Sequence, residues 1–231
     1  MLFRSERART LTFMRTKTYC SMEIRIFDDG GSLAAHAAGE MVRLARAKPG
    51  AVICLPSGNS PKETCETFVR MAKETSLDTR SLFFLGLDEW VGVELDQKGS
   101  CRHDFLERIF APLHIAPEQY HLFDGLANDL KAECRKMEQT IADRGGIDLM
   151  IVGIGMNGHI GFNEPGTPFD LHSHVTDLDA VTTRVGQQYF DSPRILQKGI
   201  TLGPANLLEA RAVFLLDRKS TRLNSSHIPL S

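Results

Sequence analysis

Four short runs of almost unbroken apolar character decide what this chain can fold into. They are Ala51–Leu55 (AVICL), Leu82–Leu87 (LFFLGL), Ile147–Val152 (IDLMIV) and Ala212–Leu216 (AVFLL). A strand with one face in water alternates apolar and polar residues, whereas a run that does not alternate is a strand covered on both faces. Segments of helical spacing lie between the runs. Leu33–Ala47 is Ala-rich with helical apolar spacing, and Pro49-Gly50 ends it. The next helix is expected from Ser60 to around Lys73, with Ser60 as N-cap, Pro61 at the first helical position and Glu63 completing a capping box. Ser100–Phe110, Ala127–Asp143 and Pro204–Ala210 read as further helices, and Glu23–Phe27 and Val175–Leu178 as further strands. Buried strands alternating with helices predict an α/β protein, a Rossmann-like three-layer fold with a mostly parallel sheet. No internal repeat and no linker interrupts the pattern.

The 231 residues suit one domain, and no stretch approaches the roughly 20 apolar residues of a membrane span. Hydrophobic content of 42% and charged content of 24% exclude wholesale disorder and coiled coil. The formal net charge of −2 offers no case for a nucleic-acid binder. That sum hides unlike parts. Residues 1–21 carry Arg4, Arg7, Arg9, Arg15 and Lys17 against Glu6, without a secretory apolar run. Met22 is the expected start, which makes 1–21 an extension; an organelle leader is the alternative. Residues 217–231 (DRKSTRLNSSHIPLS) have no periodicity and no turn leading to another element. Residues 217–227 resemble one translated frame of a sequencing-adapter oligonucleotide, so 217–231 is expected to be a non-native artefact tail. The catalytic body is then 22–216, and it is acidic. The five cysteines (Cys20, Cys54, Cys65, Cys101, Cys134) form no C-x-x-C pair, which fits reduced thiols in a cytoplasmic protein. Cys54 reads as a small core residue.

In open α/β sheets, ligands bind outside the carboxyl ends of the strands. Three loops leave such ends here. Ser57-Gly58-Asn59-Ser60 joins a buried strand to a helix N-terminus, where free N–H groups and the helix dipole favour an anion such as phosphate. Asp88-Glu89-Trp90 follows LFFLGL directly. A carboxylate there, beside bulky apolar residues, can have a raised pKa suited to proton transfer, but sequence alone favours an acidic pair on the surface; Trp90 is expected in the core. The third loop, GIGMNGHIGFNEPGTPFD, satisfies G-x-G-x-x-G at Gly153, Gly155 and Gly158, but the following Gly161, Pro165, Gly166 and Pro168 forbid the helix a dinucleotide fingerprint needs. His159 and Glu164 are five apart on this turn, close enough to meet. A carboxylate orients an imidazole and raises its pKa, giving an acid/base pair, and Asn157 is placed to hydrogen-bond either. His172 and His174 lie nearby without a zinc pattern, so no metal is expected.

Taken together, LPSGNSP at 55–61, LDEWVG at 87–92, the 147–170 stretch and TLGPANLLEARAVFLL at 201–216 resemble the glucosamine-6-phosphate deaminase/isomerase family, which includes galactosamine-6-phosphate isomerases. The resemblance covers about residues 22–216. It implies conversion of a 2-amino-2-deoxyhexose 6-phosphate to a ketohexose 6-phosphate, with release of ammonia and no cofactor. On that basis His159, backed by Glu164 and with Asn157 in the relay, would open the pyranose ring. Asp88 would carry a proton between C2 and C1, and Ser57, Gly58, Asn59 and Ser60 would hold the 6-phosphate. The resemblance also implies an Arg where this chain has Tyr189, a Lys beyond the last apolar strand, and final helices beyond residue 216. The partner is a small amino-sugar phosphate, and a homo-oligomer is compatible with it. Two rivals share the fold: a 6-phosphogluconolactonase-type hydrolase, and a non-catalytic sugar-phosphate sensing domain.

Overall fold

In a computed structural model, residues 9–13 and 20–217 are described, the side chains from Glu23 onward with Ser60 excepted. Most of the expected extension and nearly all of the tail therefore fall outside the described residues. Strands β1 (Arg9–Phe13) and β2 (Cys20–Ile24) pair antiparallel. The strand expected at Glu23–Phe27 thus lies three residues earlier. Ile26 is 83% exposed, so the apolar residues that suggested the later register find no core there.

Helix α1 (Gly30–Ala47) buries Ala34, Ala37, Ala38, Met41, Val42 and Ala45, and Asp29 caps it by accepting from the Ser32 N–H. Strand β3 (Val52–Leu55) leads to α2 (Asn59–Glu74), and β4 (Phe83–Gly86) to β5 (Asp88–Trp90). Ser100 caps α3 (Cys101–Phe105) at the start of the helix expected over Ser100–Phe110, and one π-helical turn, Leu106–Phe110, joins it to α4 (Ala111–Leu113). Then follow β6 (Tyr120–His121), α5 (Leu130–Asp143), β7 (Leu149–Gly153), β8 (His174–Asp177), α6 (Ala180–Gly186), β9 (Lys198–Thr201), α7 (Pro204–Glu209) and β10 (Val213–Leu216).

The main sheet is parallel, in the order β10-β7-β3-β4-β6. Alternate residues of each strand serve opposite layers. Ile53, Leu55, Phe84 and Ile151 join Met41 of α1, Phe68 of α2 and Phe110 on one face. Val52, Cys54, Leu85, Met150 and Val152 join Cys134 and Met137 of α5 and Ile200 of β9 on the other. This double burial is the reason the strand sequences do not alternate. Asp148, the one charge among the apolar runs, sits just before β7. It accepts from Lys48 (2.7 Å), Arg211 (2.8 Å) and the Val52 N–H (2.9 Å).

From β3 the chain moves through β4 to β6 in one direction and then places β7 on β3's other side. The strand order therefore reverses between β3 and β7, and the crevice outside their carboxyl ends is where such sheets bind ligands. A second sheet, β5-β9-β8, is antiparallel and stands beside this end, with Asp88 opposite Thr201 and His174 opposite Thr201 from the far side. Asp88–Trp90 is thus a strand rather than the loop read from sequence. Only Leu87 separates it from β4, so the chain passes from one sheet to the other at the residue before Asp88. Trp90 is core, packed against Phe162 (4.6 Å between ring centroids) and Phe190. Among the described residues no helix is long and apolar enough to cross a membrane.

Candidate active site

The loop after β3 turns at Gly58, whose φ of +101° is in the region that only glycine enters without strain. Gly58, not Ser60, is the N-cap of α2, and no side chain caps that end. The cap lies two residues before the expected one because the turn is set by backbone conformation rather than by a hydroxyl. Asn59 and Ser60 are the first helical residues, so the N-terminus of a 16-residue helix follows closely on the carboxyl end of β3. The Gly58 N–H interacts with the Asp104 carboxylate, and the Asn59 N–H with the Tyr189 hydroxyl. A Cβ at Gly58 would stand 3.3 Å from that hydroxyl. Tyr189, where the family resemblance implies an Arg, therefore reaches the same loop without bringing charge. A cation does stand nearby: Arg108 pairs with Asp104 and lies 3.6 Å from Glu66. The spacing of Asp104 and Arg108, four apart on one helical segment, is the sequence signal that could have found it.

Asp88 begins β5, and its half-buried carboxyl is pushed up to about 7, by burial first and by the neighbouring Glu89 second, with the Cys101 thiol opposing. The pair is therefore not the surface pair that the sequence alone favours: Glu89 is buried and Asp88 carries the raised value its position allows. Glu89 is 1% exposed and accepts four hydrogen bonds: Trp90 N–H (2.9 Å) and Cys101 N–H (3.0 Å) on Oε1, Ser100 hydroxyl (3.0 Å) and Arg102 N–H (2.8 Å) on Oε2. Burial pushes its proton affinity up and the donors oppose this. The three backbone N–H donors favour the carboxylate form, and those of Cys101 and Arg102 fasten it to the N-terminus of α3.

The loop after β7 makes four successive turns and no helix. Its residues divide into anchors and presenters. Phe162 is driven under Trp90, and Asn163 donates to the carbonyls of Ile160 and Leu202 (both 2.8 Å). The Phe162 N–H reaches the Thr201 hydroxyl (3.3 Å), which fixes the loop against the strand opposite Asp88. Between the anchors, Asn157 donates to Glu164 Oε2 (2.7 Å), and its own Oδ1 accepts from the His159 N–H (3.2 Å). His159 Nδ1 lies 3.7 Å from Glu164 Oε2 and 3.0 Å from the Thr182 hydroxyl. The other Glu164 oxygen accepts from the Asp179 N–H (3.1 Å). Asn157, His159 and Glu164 thus meet, as their spacing predicted. One expectation reverses: the His159 pKa is lowered, because burial outweighs the opposing pull of Glu164 and Asp179. A proton on Nδ1, between Thr182 and Glu164, leaves Nε2 as the acceptor. That nitrogen lies over Gly155, where a Cβ would come within 2.1 Å of it. The middle glycine of G-x-G-x-x-G makes room for an imidazole here.

Thr182, Tyr189 and Asp179 belong to α6 and its flanks, which the sequence reading left unassigned. Among the described residues no group of three or more His, Cys, Asp or Glu side chains could hold a metal ion. Two surface grooves, one including Phe83 and Arg144 and the other Cys134 and His174, are lined by none of these site residues.

An open α/β sheet whose strand order reverses between β3 and β7 defines a class of ligand-binding folds. Within that class, the family model described as glucosamine-6-phosphate isomerases/6-phosphogluconolactonase matches residues 29–222, and the chain belongs to this family. The glucosamine-6-phosphate deaminase of Bacillus pumilus (strain SAFR-032) is 36% identical over 196 residues, 84% of this chain and 81% of the relative. That of Shouchella clausii (strain KSM-K16) is 40% identical over 169 residues, 73% of this chain and 68% of the relative. A solved structure of a monomeric glucosamine-6-phosphate deaminase superposes with a TM-score of 0.79 at 32% identity, covering 82% of this chain and 79% of that one. The 6-phosphogluconolactonase of Thermotoga maritima superposes with a TM-score of 0.64 at 21% identity, covering 82% and 80%, which is a likeness of fold.

Proposed function

We propose that this protein is an amino-sugar-phosphate deaminase/isomerase that converts glucosamine 6-phosphate, or its galactosamine epimer, to the ketohexose 6-phosphate and ammonia. What carries the reading is one pairing across the crevice. A carboxyl pushed up to about 7 begins β5, and the loop that carries an imidazole backed by a carboxylate is anchored on the strand paired with β5. Proton transfers at two positions of one sugar need two such groups. Curated relatives of 36% and 40% identity named glucosamine-6-phosphate deaminase support the same chemistry.

In this mechanism the α2 N-terminus holds the 6-phosphate, which fixes the distant C1 and C2. His159 Nε2 moves the C1-hydroxyl proton to the ring oxygen, and the ring opens to the aldehyde. The low basicity of a buried imidazole suits it to give the proton back. Asp88, as carboxylate, removes the C2 proton while the substrate's own 2-ammonium group gives a proton to the C1 oxygen, leaving an enolamine. Asp88 returns its proton to C1 and a ketimine forms at C2. Water adds there and ammonia leaves, so the sum is amino-sugar phosphate plus water to ketohexose phosphate plus ammonia. An ammonia-release assay with both 6-phosphates tests the proposal, and ammonia from neither would overturn it. Asp88→Asn should abolish turnover while sugar-phosphate binding survives.

A further inference from the structure

Between the proposed phosphate loop and the proposed proton carrier stands one side chain to which neither role belongs. The Ser57 hydroxyl donates to Cys101 Sγ at 2.9 Å, and the Cys101 thiol donates to Asp88 Oδ1 at 3.6 Å. Cys101 is 2% exposed, and its own N–H is bound by Glu89, so the first turn of α3 holds the sulfur in place. We propose that Cys101 is the positioning residue of this site, its thiol tying the Ser57 hydroxyl of the loop to the Asp88 carboxylate.

The arrangement has a direction. A hydroxyl that donates to sulfur polarises the S–H, which then donates better to the carboxylate. Only a protonated thiol can act this way, and burial first, then Glu89 and Asp88, push the Cys101 thiol well above its ordinary value. It therefore stays a donor through the neutral range and does not compete for the proton Asp88 carries. The other titratable groups facing Asp88 are Glu89 of β5, Cys54 of β3 and Tyr189 beyond α6. Glu89 is an anion that favours protonated Asp88, and Cys54 and Tyr189 are neutral, so Cys101 is the group among these that favours the carboxylate. Its orientation also follows Ser57, the residue expected to meet phosphate.

The inference deepens the deaminase reading, because it rests on Asp88 as the proton carrier. The experiment uses the full chain with 13C-labelled aspartate. The Asp88 carboxyl resonance, assigned by its loss in Asp88→Asn, is titrated in wild type, Cys101→Ala and Cys101→Ser, beside the pH profile of ammonia release. Cys101→Ala should raise the Asp88 titration by about half a pH unit, the effect of one weak donor, with the acid limb of kcat moving alike. Cys101→Ser, which keeps a donor, should restore the wild-type titration. An unmoved titration in a folded Cys101→Ala, or equal shifts in both variants, would overturn the proposal. If Cys101→Ala does not fold, Ser57→Ala, which removes the polarising hydroxyl, should move the titration the same way, and no shift there overturns it. Absence of ammonia from wild type would reject the deaminase reading, while the carboxyl titration would still decide the role of Cys101.

Discussion

Replacing Glu89 by Gln separates two effects that the structure assigns to one carboxylate. The amide oxygen can accept the pair of N–H groups from Trp90 and Cys101 that Oε1 accepts now. The amide nitrogen then faces the Ser100 hydroxyl, which can rotate to accept, and the Arg102 N–H, which cannot. One buried N–H is orphaned, at about 1–3 kcal/mol, and three hydrogen bonds lose their charge assistance. Relief from burying a charge offsets part of this, because burial opposes ionised Glu89. A net loss of about 2 kcal/mol results, which for a domain of this size lowers Tm by about 4–8 °C. The effect on Asp88 has its own sign. Glu89 is the second cause of the raised Asp88 pKa, so removing its charge moves that value down from about 7. The acid limb of kcat/KM, which reports a base that must be ionised, should fall by about one pH unit. Thermal unfolding and a pH profile of ammonia release read the two independently. A Tm unchanged within 2 °C (about 1 kcal/mol or less) would refute the four-donor account of Glu89. An acid limb that stays or rises would refute its electrostatic hold on Asp88.

Gly155→Ala places a methyl within 2.1 Å of His159 Nε2; it should reduce kcat by about 10²-fold or more through a displaced imidazole, with near-UV circular dichroism unchanged. His159→Gln should slow ammonia release by about 10²–10⁴-fold, the range for a lost acid/base group, without a comparable loss of sugar-phosphate binding in a calorimetric titration. Asp148→Asn should destabilise by about 2 kcal/mol near pH 7, its partners' exposure keeping the loss moderate. Burial raises the Asp148 pKa, but Lys48, the Val52 N–H and Arg211 together bring it below 3.8, so its contribution is present above that value and lost as pH falls through the lower, folded one. Urea unfolding should therefore show the difference between variant and wild type shrinking below about pH 4.

The parts of the fold that were legible in sequence are those whose signal is local. Val52–Leu55 and Phe83–Gly86 lie inside their apolar runs, and Leu149–Gly153 extends one residue past its own, because burial on both faces leaves a composition nothing else produces. Asp88–Trp90 was not legible as a strand. It is three residues long, and its partner Lys198–Thr201 is over a hundred residues away without a turn between them. The helix start at Gly58 was hidden because Ser60-Pro61 satisfies every rule for a cap, while the deciding quantity is a dihedral angle. In the site, Asn157, His159 and Glu164 were readable from spacing. The sign of the His159 shift was not, since it depends on burial in the folded chain, where Thr182 comes to the ring from another segment. Cys101, Thr182 and Tyr189 carry no motif; each matters only through the neighbour it meets.

The β5-β9-β8 sheet has a consequence for the order in which this molecule is made. Within the parallel core, β3 with β4 and β4 with β6 pair neighbouring units, each closing a shorter stretch of chain than the β5–β9 pairing does. The second sheet instead joins residues 88–90, 174–177 and 198–201, and the Phe162 turn docks on it. Contacts between such distant segments come late, because the loop-closure entropy must be met before they stabilise anything. A chain that has completed its parallel strands but not this sheet holds Asp88 with no wall opposite and His159 with no anchor. Partly folded intermediates are therefore chemically silent, and recovery of turnover during refolding is a sharper clock for the final step than recovery of helix content.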